Sequence, residues 1–169
     1  MMIWMKAIGE NADRSGWTPG MLKMTEETFQ ALRRHGEETY PDECCGVLLG
    51  KASGQGNLVQ ATAPAGNMRT DSAHNRYQIA PQELLKIQHE ARAKGLDIVG
   101  FYHSHPDHPA LWSATDFREA HWLGCSYVIT SVVAGAARQT NSFLLTGSSE
   151  DDKKLDDESI QVSPTLAGC

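Results

Sequence analysis

The chain has 169 residues, 40% of them hydrophobic and 21% charged, with a formal net charge of -6. That length suits one domain with a core large enough to need no disulfides. The negative charge gives no basic field to attract phosphate, which argues against nucleic acid and anionic membranes as partners, and no run approaches the roughly 18 apolar residues of a membrane span.

Residues 1–20, MMIWMKAIGENADRSGWTPG, keep no period and end in Pro and Gly, so they read as a loosely held arm. The opening stretch is too short and too early broken for a secretory signal, which with the acidic balance predicts a cytoplasmic protein. MLKM (21–24) reads as a short strand. Thr25 then suits an N-cap, with Glu26 and Glu27 in the first turn and Phe29, Leu32 and Arg33 at helical spacing, predicting a helix to about Thr39 that Pro41 stops. CCGVLLG (44–50) is an apolar run ending in Gly and suits a buried strand, with NLVQATAPA (57–65) its hairpin partner across KASGQG. GNMRTDSAHNRY is polar and reads as a long exposed loop, of the kind that often serves function.

YQIA (77–80) reads as a brief strand. PQELLKIQHEARAKG reads as a helix with Pro at its start, Leu84, Leu85, Gln88 and Ala91 along one face, and Gly95 at its end. LDIVGFYHSH (96–105) is a strand, SATDFREAHWLG a helix capped by Ser113 or Thr115, and SYVITSVVA and RQTNSFLLTG two further strands. Residues 148–158, SSEDDKKLDDE, are almost all charged or polar and read as disordered, with a last short strand at SIQV. Helices between strands, with hairpins, predict an α/β or α+β fold around a mixed sheet. The organisation is then an arm (1–20), one domain (21–147) and a polar, flexible tail (148–169).

The four cysteines stand at 44, 45, 125 and 169. Cys44 and Cys45 would point to opposite faces of a strand, so a disulfide framework is not expected. A nucleophilic thiol needs an exposed, electropositive setting with a base, which an apolar strand does not offer. His121 and Cys125 invite a second metal site, but their period fits a helix end running into a core strand.

HSHPDHPALWSATD (103–116) carries the chemistry. His103 and His105, two apart at a strand end, project from one face as ready zinc ligands. Asp116 falls in the first turn of the next helix, and the two prolines of PDHPALW stiffen the return that brings its carboxylate back. Two histidines and one carboxylate leave a fourth position open, the mark of a hydrolytic rather than a structural zinc. An activated water needs a base. Glu43, at the mouth of the apolar strand, is the better candidate, with Asp42 its rival. Ser113 can cap the helix and direct its hydroxyl at an oxyanion forming on the substrate. His108, inside the spacer, reads as a solvated loop residue.

These residues resemble the JAMM (MPN+) zinc metalloproteases: a glutamate, His-Ser/Thr-His-Pro, seven residues from the second histidine to a serine, and an aspartate three further on, here Glu43, HSHP at 103–106, PDHPALW, Ser113 and Asp116. The order of elements from about 21 to 146 is similar to that fold, which the resemblance implies is a mixed, mostly antiparallel sheet flanked by helices, like cytidine deaminases. It implies one zinc per chain on His103, His105 and Asp116, with Glu43 as general base and proton donor and Ser113 steadying the tetrahedral intermediate. The short prokaryotic members are most similar in length, which implies hydrolysis of the peptide or isopeptide bond after the Gly-Gly tail of a ubiquitin-like or sulfur-carrier protein, in cysteine or other sulfur metabolism. A homodimer is left open. Such a tail would thread a narrow groove and add an edge strand, glycines being selected by sterics, with the 66–76 loop as one wall. Two other readings stand beside this: a scaffold of the same fold without enzymatic activity, whose known forms have lost ligand positions, and a zinc hydrolase acting on another small amide.

Overall fold

The structure is a computed structural model that describes residues 20–68 and 77–166. In chain order these form β1 (Met21–Thr25), α1 (Glu26–Thr39), β2 (Cys45–Ser53), β3 (Gly56–Ala65), α2 (Pro81–Ala93), β4 (Asp97–Pro106), α3 (Ala114–Glu119), β5 (Ser126–Val133), β6 (Ala136–Thr146) and β7 (Lys154–Ser163). The strands close into a ring in the order β1-β3-β2-β4-β5-β6-β7. Pairs β2–β3, β2–β4, β5–β6 and β6–β7 are antiparallel, whereas β1–β3, β1–β7 and β4–β5 are parallel. This is the mixed sheet the sequence predicts, and the mostly antiparallel sheet with flanking helices that the family resemblance implies.

Helix α1 begins where expected, the Thr25 hydroxyl accepting from the Thr28 amide at 3.1 Å. Its apolar stripe, Phe29 and Leu32, packs with Leu22, Met24, Leu48, Val99, Tyr102 and Val128 on one face of the sheet. A Cβ on Gly36 would stand 3.1 Å from Val132 and 3.2 Å from Ser104, so glycine lets the helix lie close on β4 and β5. The opposite face joins Cys45, Val47, Phe101 and Tyr127 to Ile87 and Ala91 of α2. Cys44 and Cys45 thus enter different cores, as strand alternation requires.

A slip in the β2–β4 register, Leu48 pairing Gly100 but Leu49 pairing Ile98, leaves Val99 as a bulge. Beyond it Phe101 joins the α2-side core and Tyr102 the α1-side core, and this phase carries His103 and His105 to the α2 side.

Five expectations change, the first being that SATDFREAHWLG is helical only over the six residues of α3. YQIA is not a strand: the Gln78 carbonyl accepts from the Met68 amide at 2.9 Å and its amide donates to the Asn67 side chain at 3.0 Å, so its main chain closes the loop instead of pairing in the sheet. The β2–β3 hairpin is tighter than KASGQG implied, both strands running on to the Ser53–Gly56 pair. On α2 the covered stripe is Leu84, Ile87 and Ala91, while Leu85 is 43% exposed. The largest correction concerns the tail, because Lys154–Ser163 is a full strand between β6 and β1. Its alternation is disguised by a buried carboxyl group: Glu158 sits where a hydrophobe would be expected, accepting from the Ser142 hydroxyl at 2.6 Å, with burial raising its pKa. The 1–19 arm and residues 167–169 lie outside the described residues, as does most of the 66–76 loop. No helix among the described residues is long and apolar enough to cross a membrane.

Candidate metal centre

The pairing of β2 with β4 sets the first two components of the site. Cys45 lies opposite His103, and the Ser104 amide donates to the Cys44 carbonyl at 3.2 Å, carrying the pairing one residue further. Continued by one more residue, the register brings Glu43 level with His105 on the same face. Glu43 is 5% exposed, whereas its rival Asp42 is exposed. Burial pushes the Glu43 pKa up to about 8, opposed by the nearby His105 and reinforced by Asp116 and Glu119. These interactions tie Glu43 electrically to His105 and to α3.

The spacer between His105 and α3 is pinned along its length. The Asp107 amide donates to the Val132 carbonyl at 2.8 Å, the Ser131 hydroxyl to the His108 carbonyl at 2.6 Å, and the Asn141 amide group to the Ala110 carbonyl at 2.9 Å. Ala110 packs on Ile129 and Phe143. Asp107 takes a left-handed backbone, φ 54°, which aspartate tolerates, and its carboxylate accepts from the Tyr40 hydroxyl and the Ala134 amide. His108 itself is exposed. Of the two candidate caps, Ser113 is the one used: its hydroxyl accepts from the Asp116 amide at 3.1 Å while Asp116 Oδ2 accepts from the Ser113 amide at 2.6 Å.

This reciprocal cap aims the Asp116 carboxylate at the histidines. Its Oδ1 is 3.3 Å from His103 Nε2 and its Oδ2 is 3.6 Å from His105 Nε2, and the two imidazole nitrogens are 3.0 Å apart. The three ligand atoms lie within 4.8 Å of one another, the one such group among the described residues. The donor set suits a zinc ion on a further ground. His105 Nδ1 is 2.9 Å from the Pro109 carbonyl, which can only accept, so Nδ1 carries the hydrogen and Nε2 of the neutral ring turns a lone pair to the cluster. Burial lowers the His103 pKa, although Asp116 opposes this. Burial would also lower that of His105, but hydrogen bonds to Asp116 and Pro109 outweigh it and raise the value. Asp116 is partly buried, which alone would raise its pKa, yet its bonds with His103, His105 and the Ser113 amide hold it well below the carboxylate range. A partly buried carboxylate set against two closely spaced imidazoles calls for a positive charge, supplied either by a proton on His105 or by a cation.

His103, His105 and Asp116 are thus brought together, Ser113 caps the helix that carries Asp116, and Glu43, buried just before β2, lies near His105 and Asp116. Three contributors carried no sequence signal. Tyr77 stacks on His103 with ring centroids 4.5 Å apart, the Pro109 carbonyl orients His105, and the Asp107 clamp ties the spacer to Tyr40. His121 is exposed and pairs with Glu150 at 2.9 Å, while the Cys125 thiol is buried and directed at the Ile98 carbonyl. Burial raises the pKa of Cys44 to about 11 and of Cys45 to about 12, which leaves both thiols inert as nucleophiles.

Comparisons with known proteins agree with one another. Residues 25–145 match the family described as prokaryotic homologs of the JAB domain. The chain is 33% identical over 118 residues to the desampylase of Haloferax volcanii, covering 68% of this chain and 83% of the relative. It is also 33% identical over 116 residues to a probable TtuB-protein conjugate cleaving protease of Thermus thermophilus, covering 69% and 74%. Among solved structures, a protein of Desulfitobacterium hafniense superposes with a TM-score of 0.73 at 28% identity, over 86% of this chain and 95% of that one. A protein of Salinibacter ruber does so with a TM-score of 0.62 at 37% identity, over 82% and 91%.

Proposed function

The chain belongs to the family of prokaryotic homologs of the JAB domain, and from that premise we propose that it is a cytoplasmic, zinc-dependent metallopeptidase that hydrolyses the bond after the Gly-Gly tail of a ubiquitin-like or sulfur-carrier protein. His103, His105 and Asp116 hold the ion. Bound zinc supplies Lewis acidity and a water whose pKa is lowered towards about 7. Glu43 takes a proton from the attacking water and returns it to the leaving nitrogen as the carbonyl carbon–nitrogen bond breaks, yielding the free carboxylate of the carrier and an amine. Its burial beside His105 and Asp116 suits it to this exchange by holding the carboxyl group in place next to the cluster. The Ser113 oxygen accepts from Asp116, which leaves its hydrogen available to the developing oxyanion. Pro109 keeps His105 in the tautomer that ligates.

The observation that carries the reading is the convergence of three ligand atoms beside a buried glutamate from the neighbouring strand. The names of two relatives, a desampylase and a probable conjugate-cleaving protease, support a protein conjugate as substrate. Retention of the ligand set favours an enzyme over a scaffold. The test is intact-mass measurement after the zinc-loaded protein meets carriers with extensions beyond Gly-Gly. One mass loss at that bond is expected, and extended carriers that all survive would remove the proposal. Metal content near one zinc per chain, lost in His103→Ala, tests the ligand assignment separately.

A further inference from the structure

Beside the metal centre lies a cavity of about 290 Å³. Its floor is Phe101 of β4 and Tyr127 of β5, with rings stacked at 5.6 Å, and Trp122 meets Phe101 edge-on at 5.5 Å. Tyr77 and Ile79 close the other side. The Trp122 amide donates to the Tyr127 hydroxyl at 3.1 Å, so the polar end of that ring is engaged. The cavity adjoins the metal centre directly. Phe101 lies two residues before His103 on the same strand face, and Tyr77 is a common wall, its ring stacked on the His103 imidazole.

A cavity of this size, lined by four aromatic rings and Ile79 with Gln78, Glu119 and His121 as its polar members, suits a side chain with a long apolar stretch rather than bare main chain. Glycines on the acyl side of the bond have no side chain to place there. We propose that this cavity is the subsite for the amine-side group of the substrate, an apolar chain attached to the nitrogen that the tail releases; the inference rests on the Gly-Gly reading above. That chain is either the side chain of a residue linked through its α-nitrogen or the methylene stem of a lysine linked through its ε-nitrogen. Aromatic faces take both, since each offers buried hydrocarbon and little else.

The experiment uses the zinc-loaded full chain and a carrier ending in Gly-Gly, extended through the α-nitrogen by Ala, Leu or Phe, or joined to the ε-amine of lysine with a methylamine amide as the stem-less control. We expect kcat/KM for Leu or Phe to exceed that for Ala, or for lysine to exceed that for methylamine, by about tenfold or more, as hydrophobic pockets discriminate. The first pattern identifies an α-linked residue as occupant, the second a lysine stem. Gln78 and His121 are exposed residues of the lining that come from separate segments of the chain, so Gln78→Trp and His121→Trp narrow the preference, with circular dichroism and melting verifying each fold. Equal rates across both series overturn the inference while leaving the peptidase reading intact. So does a preference unchanged in both folded variants, or one that follows only the residue preceding Gly-Gly. Failure to cleave any extended carrier overturns the peptidase reading itself and the subsite with it.

Discussion

Glu43 is held in a condition that costs stability. In the folded, metal-free protein its pKa is raised to about 8 from an ordinary value of 4.5, chiefly by burial, so the fold prefers its protonated form. The stability this provides is complete below pH 4.5, declines as pH rises and the unfolded chain loses its proton first, and is gone above about pH 8. Glu43→Gln keeps the shape and removes the charge. We expect the metal-free variant to melt higher than the parent by a few degrees at pH 8 and by little at pH 4.5, from thermal melts across that range. The same variant should lose turnover by roughly 10²- to 10⁴-fold with zinc retained. A variant that is both less stable at pH 8 and fully active would remove Glu43 from the mechanism. Its burial was legible because it stands at the mouth of an apolar strand, which names the environment. Tyr77, at the end of a polar loop, and the Pro109 carbonyl, a main-chain group, announce themselves in no such way.

At the scale of elements, the site depends on a very short helix and a very tight strand pair. α3 has six residues, none buried, and its first turn is fixed by the Ser113–Asp116 box. Ser113→Ala removes the hydroxyl that accepts from the Asp116 amide, costing about 1 kcal/mol of local stability. Because Asp116 is aimed by that turn, zinc affinity should fall by about tenfold in a competition titration, as it does when outer-shell partners are lost. Gly46, one residue past the Cys45–His103 pair, is a different constraint. A Cβ there would overlap the Tyr102 ring, which is 1% exposed and bonded through its hydroxyl to His35 at 2.9 Å. Gly46→Ala is expected to cost about 1–3 kcal/mol, read as a lower denaturation midpoint. Elements with a strong local apolar pattern were legible: α1, with one packing face, and β4, buried on both, lie where the sequence puts them, and β2 starts there and runs three residues further. Those whose logic is non-local were not. β7 reads as a charged tail because its buried position is a glutamate matched by Ser142 on another strand, and YQIA reads as a strand because the loop that claims its main chain cannot be foreseen.

For the whole molecule, the question is whether the ion or the ring holds the protein together. The proposed ligands join only β4 and α3, which the pinned spacer already brings together, while the two large apolar clusters involve neither ligand nor ion. Chelation should therefore leave a cooperative melt with native circular dichroism. Zinc at 100 times its dissociation constant should add about 2.7 kcal/mol, a shift rather than a rescue. Closure of the ring bears more. β7 alone bridges β6 to β1, and its Leu155, Ile160 and Val162 pack against cores on both faces of the sheet. Ending the chain after Gly147 keeps Glu43, His103, His105, Ser113 and Asp116 and the whole family match, yet it opens one edge each on β6 and β1 and strips apolar cover from α1. Such a chain should aggregate or melt without cooperativity even with zinc present, as judged by size exclusion and thermal denaturation. A truncated chain that is monomeric, cooperative and active would mean that β1 and β6 tolerate open edges and that the polar segment is dispensable after all.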